Sequence, residues 1–435
     1  MKRGFYTIMA AQFLSSLADN ALLIAAIALL ASLHAPAWMT PMLKLFFVLS
    51  YVFLAAFVGA FADALPKGRV MFLTNMVKVA GCLMMLFGSH PLLAYAVVGI
   101  GAAAYSPAKY GILTELLPPD KLVVANGWIE GLTVTSIILG FVVGGVLISP
   151  QVSQWLLSHQ IAGIHQAPDA AIAVIVFVYG AAAIANLFIP DTGARYPRQT
   201  IHPVPLIKGF ARSCTLLWRD KLGQISLAVT TLFWGAGATL QFLVLKWAEQ
   251  VLGMDLSKGA ILQAVVAIGI ALGSVYAAAR ISLKRSISVL PVGVAMGLVV
   301  AAMAFYRPGV VPGGGIEAGA LQLSWFILIA CFMLVVVGAL AGFFVVPMNA
   351  LLQHRGHVLM SAGRSIAVQN FNENLSILVM LGLYAVLVWA ELSVQAIMVL
   401  FGVFVAATMA MVIVRHRANQ REFDSVALIG EAKHH

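Results

Sequence analysis

What most limits the fold of this chain is a succession of apolar stretches near residues 6–33, 41–65, 70–88, 92–116, 122–149, 170–190, 222–252, 258–282, 286–306, 320–350, 359–390 and 392–414. Each is of the order of the 20 residues that carry a helix across a hydrocarbon core. No water there can hydrogen-bond an open backbone, so such a chain crosses as helices whose amides are satisfied internally. The sequence predicts an all-α, polytopic membrane protein with twelve transmembrane helices. The first run follows Lys2 and Arg3 and far exceeds the apolar core of a cleaved leader, so it reads as the first span.

The charges assign an orientation. Only 10% of the residues are charged, yet the net charge is +10. With a cytoplasmic N-terminus, the even-numbered loops and both termini hold about nineteen of the 26 basic residues, Lys67, Arg69, Lys121, Arg285, Arg355 and Arg415 among them. The odd-numbered loops hold little beyond Lys258 and Arg307. This is the positive-inside pattern with both termini cytoplasmic. No aromatic-interleaved basic module points to nucleic acid. Cys82, Cys214 and Cys331 form no disulfide framework.

The stretch 191–221 is basic, proline-bearing and central, and it reads as a linker. Part of it, LIKGFARSCTLLW, suits a surface helix with one apolar face. It separates a half at 1–190 from a half at 222–418, with a tail at 419–435. The two halves repeat. SPAKYGILTEL ends the fourth run and VPMNALLQHRG lies toward the end of the tenth, matching Pro107 to Pro347 and Lys109 to Asn349. Further on, Asn126 matches Asn370. A shift of six helices is a parallel repeat and resembles the two six-helix halves of the major facilitator fold. GAFADALPKGRV resembles the loop signature of that fold at Gly59, Asp63, Gly68 and Arg69, with two extra residues between Asp63 and Gly68. Asp63 and Arg69 are therefore expected in a cytoplasmic gate. There the aspartate meets an arginine or a helix N-terminus of the other half. Gly131, Gly140, Gly144 and Gly145 of span five and Gly269 and Gly273 of span eight are expected where these spans meet.

An ionised residue inside a bilayer is costly and faces a cavity or a partner. Span one carries Gln12, Ser16, Asp19 and Asn20 on one helix face. Span four carries Lys109 and Tyr110, and span five opens with Asn126 and Glu130. Span seven offers Gln241, Lys246 and Glu249, span ten Asn349, and span eleven Asn370, Glu373 and Asn374. Asp19 and Lys109 are either substrate and gating groups or a structural ion pair. Glu130 and Glu373 either face the cavity or pair with Arg69, Arg364 or a helix end. The asparagines either touch substrate or bond across helices. Lys78 of span three reads as a snorkelling or packing residue. The chain lacks a phosphate-binding G-x4-G-K-[ST] loop, an H-x4-D pattern and any zinc-spaced Cys/His set, so no enzyme and no cofactor are expected.

AAAYSPAKYGILTEL, ADALPKGR, GFFVVPMNALLQHRG and SIAVQNFNEN closely resemble the lysophospholipid transporter family (LplT) of Gram-negative bacteria. The likeness runs from FLSSLADNALL in span one through span eleven. It implies a monomer in the inner membrane, a flippase that carries lysophosphatidylethanolamine and lysophosphatidylglycerol from the outer to the inner leaflet without ATP. It also implies a partner, an acyl-ACP-dependent lysophospholipid acyltransferase that re-acylates the product. That enzyme is fused in some relatives, and is expected here as a separate protein. The family often has an arginine where Gln241 stands, with Lys246 a little over a turn away. A proton-coupled carrier of a soluble solute or drug, titrating at Asp19 or Glu130, is the main alternative; a scaffold for the acyltransferase is a second.

Overall fold

The computed structural model describes residues 3–35, 39–159, 164–196, 202–254, 256–310, 314–318 and 321–429. Lys2, Arg198, Lys433, His434, His435 and the side chains of Glu130 and Lys258 lie outside the described residues. The helices run α1 (Arg3–Ser32), α2 (Met39–Phe53), α3 (Ala55–Ala64), α4 (Lys67–Leu86), α5 (Pro91–Leu116), α6 (Leu122–Ile148), α7 (Pro150–Leu157) and α8 (Ala167–Leu187). The linker forms α9 (Pro203–Arg219). Then come α10 (Gly223–Gln250), α11 (Leu256–Arg280), α12 (Leu290–Met303), α13 (Trp325–Leu359), α14 (Ala362–Trp389) and α15 (Val394–Glu422). A small antiparallel hairpin, β1 (Gly315–Ala318) and β2 (Leu321–Ser324), precedes α13.

Eleven helices among the described residues are long and apolar enough to cross a membrane, and α2 with α3, bent by 67°, completes the twelve spans expected. Neither proline nor glycine causes that bend. The Ser50 hydroxyl bonds back to the Phe46 carbonyl at 3.3 Å one turn before the break. Pro107 and Pro347 lie inside α5 and α13 at equivalent places.

One end of the molecule gathers the basic loops. There Gly4 packs on Pro190, Lys221 pairs with Glu422 at 2.6 Å, and Arg415 donates to Gln224 at 3.0 Å. At this basic end a single apolar core joins α1, α5 and α6 to α10 and α13 through Phe5, Ile112, Ile129, Ile225 and Leu351. Toward the other end the core divides. One cluster surrounds Leu22, Cys82 and Tyr179, and another surrounds Trp247, Val300 and Leu334. The protein is therefore sealed at its basic end and parted at the opposite end. The linker helix α9 lies across the sealed end, with Phe210 edge-on to Phe371 at 5.4 Å and the Trp218 indole donating to Asn372 at 3.2 Å.

The glycines correct one expectation. Gly269 and Gly273 of α11 do not face span five; with Gly338 and Gly342 they press the backbones of α11 and α13 together. Gly140 and Gly144 of α6 face α1, where an added Cβ would come within 2.6 Å of Asn20 and 2.9 Å of Ala21. Spans five and eight meet instead at Gly127, against Ala278. Sequence spacing shows that a helix face is small, not which neighbour uses it. Gly273→Val is expected to lower the stability of the detergent-purified protein by about 1–3 kcal/mol through overpacking. Gly131→Val and Gly145→Val meet open space and should leave thermal unfolding within a degree or so of wild type.

Candidate functional site

The seal at the basic end is built on Asp63, in the last turn of α3. Its carboxylate accepts the backbone N–H of Gly363 at 3.0 Å and the hydroxyl of Ser361. Ser361 is the N-cap of α14 and also accepts from the Arg364 N–H. Asp63 thus sits on the positive end of the α14 dipole, where unpaired N–H groups favour an anion. The cation beside it is Lys67 of its own half at 2.7 Å, while Arg69, expected in the same gate, is exposed. The cause is the two-residue insertion. It places Pro66 at the entry to α4 and Lys67 four residues after Asp63, buried and able to reach back. Lys67 also meets the Ala62 carbonyl at 2.7 Å and Glu115 at 3.4 Å. Glu115 in turn accepts from Tyr196 at 2.9 Å and Thr192 at 2.8 Å. Burial, then the Glu115 charge, pushes the Tyr196 phenol up, so it remains a donor. Nearby in the linker, Arg195 hydrogen bonds hold the Asp191 carboxyl down at about 2.

Next to this seal, neutral groups bond between the two sides. Asn126 and Gln353 exchange two amide bonds of 2.9 Å, and Asn370 donates to Ser106 at 2.9 Å. Gln369 donates to Asn349 at 3.1 Å and Glu373 at 2.7 Å, while Asn374 donates to the Asn370 carbonyl at 2.8 Å. The Lys109 ammonium lies over the Tyr110 ring at 4.6 Å. A buried pair closes the other flank: Arg355 meets Asp220 at 2.6 Å, and Asp220 caps α10 through the Leu222 and Gly223 N–H groups.

Span one departs from expectation. Asp19 does not pair with Lys109. Both its oxygens meet the Lys78 ammonium at 2.8 Å, and Tyr179 donates to it at 2.6 Å. Lys78 is 1% exposed and neither snorkels nor merely packs. The arrangement of α1, α4 and α8 aims Lys78 inward, which spacing within span three does not reveal. Asn20 bonds back to the Ser16 carbonyl at 2.8 Å. Gln12 is buried with neither amide atom hydrogen-bonded among the described residues.

The membrane-spanning body also holds an apolar cavity of about 510 Å³ between α6 and the helices α10, α11, α12, α13 and α15. Ile137, Phe141, Leu240, Val300 and Val337 line it, with Gln241 and Gln263 as polar members. Gln263 donates to the Gln241 carbonyl at 2.7 Å, and Lys246, half-buried, is on the same helix as Gln241. The residues missed in sequence are Lys78, Tyr179, Lys67, Glu115, Gln353 and Ser361. Glu115 had a signal, since it stands in the repeat opposite Arg355, and so had Lys67, four residues after Asp63; the others have partners distant in sequence.

The family model described as Major Facilitator Superfamily matches residues 8–380. The protein named lysophospholipid transporter LplT from Yersinia enterocolitica is 43% identical over 389 residues, 89% of this chain and 88% of its own. The one from Citrobacter koseri is 42% identical over 409 residues, 94% of each chain. Among solved structures, a bacterial homologue of the iron transporter ferroportin in an outward-facing state superposes with a TM-score of 0.70 at 14% identity, over 97% of this chain and all of that one. The transporter FucP in its outward conformation gives 0.69 at 13% identity, over 95% of this chain and 98% of that one.

Asp63→Asn removes the charge on which the seal converges. In a background without Cys82, Cys214 and Cys331, a cysteine at Ala367, 1% exposed against Gly59, should react with a membrane-impermeant maleimide about tenfold faster in this variant, the change that ~1.4 kcal/mol produces. An unchanged rate removes Asp63 from the seal.

Proposed function

Since the chain belongs to the major facilitator superfamily and, within it, to the lysophospholipid transporter family, we propose that it carries lysophospholipid across a bacterial inner membrane by alternating access. It is a multi-pass membrane transporter and not an enzyme. The observation that carries the substrate reading is a cavity of about 510 Å³ with almost wholly apolar walls inside the membrane-spanning body. The same body holds a charged and amide-rich cluster with Asn349 and Glu373 bridged by Gln369, and Lys109 on α5. A lysophospholipid has this division, with one anionic headgroup and one acyl tail. The volume falls in the range of small-molecule sites, roughly 300–1,000 Å³.

In this reading the lipid, lysophosphatidylethanolamine or lysophosphatidylglycerol, enters from the outer leaflet at the parted end. Lys109 meets the phosphate as a point charge, with Tyr110 and Asn349 as hydrogen-bonding neighbours. The open edge of Asp19, with Asn20, receives an ethanolamine ammonium. The tail lies along Phe141, Leu240 and Val337. The halves 1–190 and 222–418 then rock about the site, the parted end closes, and the Asp63–Ser361 seal opens at the basic end. That end, with both termini, faces the cytoplasm by the positive-inside rule. The product leaves to the inner leaflet, where a separate acyl-ACP-dependent acyltransferase consumes it and so pulls net flux inward without ATP. One monomer holds the whole path.

Purified protein in liposomes, with no ion gradient, should move labelled lysophosphatidylethanolamine inward, and Lys109→Ala should lower the rate at least about tenfold, as expected for loss of a charge-assisted bond of about 1.5–3 kcal/mol. Equal rates leave Lys109 structural. Flux that appears only with a proton gradient means coupled transport of the lipid, and no lipid flux in either protein favours a gradient-coupled carrier of another solute. Ala236→Phe, which narrows the cavity, should slow long-tailed lysolipids more than short-tailed ones in the same assay.

A further inference from the structure

The buried lysine of α4 has no part in the path just described, yet it is the most completely enclosed charge near it. Its ammonium meets both Asp19 oxygens at 2.8 Å and donates to the Ser15 hydroxyl at 3.0 Å. The faces of Tyr105 and Tyr179 stand 5.0 and 5.5 Å from it, favourable places for a cation. Its stem lies in a slot cleared by Gly101, where an added Cβ would come within 2.7 Å of the Lys78 Cγ. The two partners differ in access. The Lys78 side chain is 1% exposed and that of Asp19 is 21% exposed. The lysine holds the carboxylate from behind, inside the protein, and the carboxylate keeps an open edge.

We propose that Lys78 is a positioning residue that supplies, from inside the protein, the cation that a headgroup ammonium would otherwise supply, and that it thereby sets the balance between zwitterionic and anionic lysophospholipids. The inference rests on the transport reading above. With Lys78 present, Asp19 belongs to a neutral pair. A headgroup with an ammonium can share the open edge of the carboxylate, and an anionic headgroup meets no net repulsion there. Without Lys78 the carboxylate is a bare anion beside the path. It then attracts an ammonium strongly and repels a headgroup that has only phosphate and hydroxyls.

The test is competitive uptake of labelled lysophosphatidylethanolamine and lysophosphatidylglycerol by proteoliposomes holding wild type, Lys78→Met or the double variant Asp19→Asn/Lys78→Met. Lys78→Met should raise the ethanolamine-to-glycerol rate ratio at least about tenfold, chiefly through loss of the glycerol lipid, because like-charge juxtaposition costs several kcal/mol. The double variant, with no carboxylate for the ammonium to share, should bring the ratio below the wild-type value. A pair that is merely structural lowers both lipids by one factor, and that unchanged ratio overturns the proposal. If Lys78→Met alone gives no monodisperse protein, the double variant decides: a ratio below wild type with glycerol-lipid flux retained supports the assignment, and a ratio at or above wild type overturns it. Wild-type vesicles that move neither lipid overturn the transport reading, and this inference falls with it.

Discussion

The constraint on which this structure depends is that a charge held inside the membrane-spanning body must find its counter-charge inside the protein. Lys78 meets Asp19, Lys67 lies between Asp63 and Glu115, and Arg355 meets Asp220. Removing one partner of such a buried pair costs about 3–5 kcal/mol, because the other is left uncompensated. Each pair therefore fixes which helices lie side by side. Lys78 ties α4 to α1, and Tyr179 adds α8 to the same carboxylate. The packing of the first half follows from these contacts as much as from its apolar surface, since lipid tails compete equally for apolar side chains.

The internal repeat gives the sealed end its logic. Glu115 and Arg355 each lie eight residues after the helix-borne prolines Pro107 and Pro347. They are opposite in sign, yet each fastens one end of the linker. Glu115 accepts from Thr192 and Tyr196 where the linker begins, and Arg355 holds Asp220 where it ends. Between these anchors α9 lies across α14 through Phe210 and Trp218. The equivalent position in each half thus does the same work with exchanged charge, and the connection between the halves is a fastened part of the seal.

The spans were legible in sequence because a bilayer leaves a long apolar run little choice but a helix. The broken second span was not, since neither proline nor glycine stands at the break after Phe53. The Asp63 contact with a helix N-terminus was legible from the loop signature, and its cation was not, because the two-residue insertion is what sets Lys67 four residues after the aspartate. Lys78 was misread for a different reason. Its partner is 59 residues away, and the periodicity of span three cannot say which neighbour its polar position faces. The glycines show the same limit, since small faces were identified correctly and paired with the wrong helix.

Alternation imposes a last requirement, and the distribution of bonds meets it. The contacts that join the proposed halves at the sealed end are mostly neutral: Asn126 with Gln353, and Ser106 with Asn370. Each has a net worth of about 0.5–1.5 kcal/mol, so a few of them can be exchanged for substrate contacts of similar size. The ion pairs Lys78–Asp19 and Lys67–Glu115 lie within the first half, and Arg355–Asp220 lies between the linker's end and the second half. The proposed rocking of the halves separates none of these pairs. Asp63 is a charged group that crosses the divide, and in that motion it leaves the α14 N-terminus with Lys67 already bound at 2.7 Å. Its carboxylate is then not left bare in the transition, which keeps the gap between the two proposed states within what differential binding of one lipid is able to reverse.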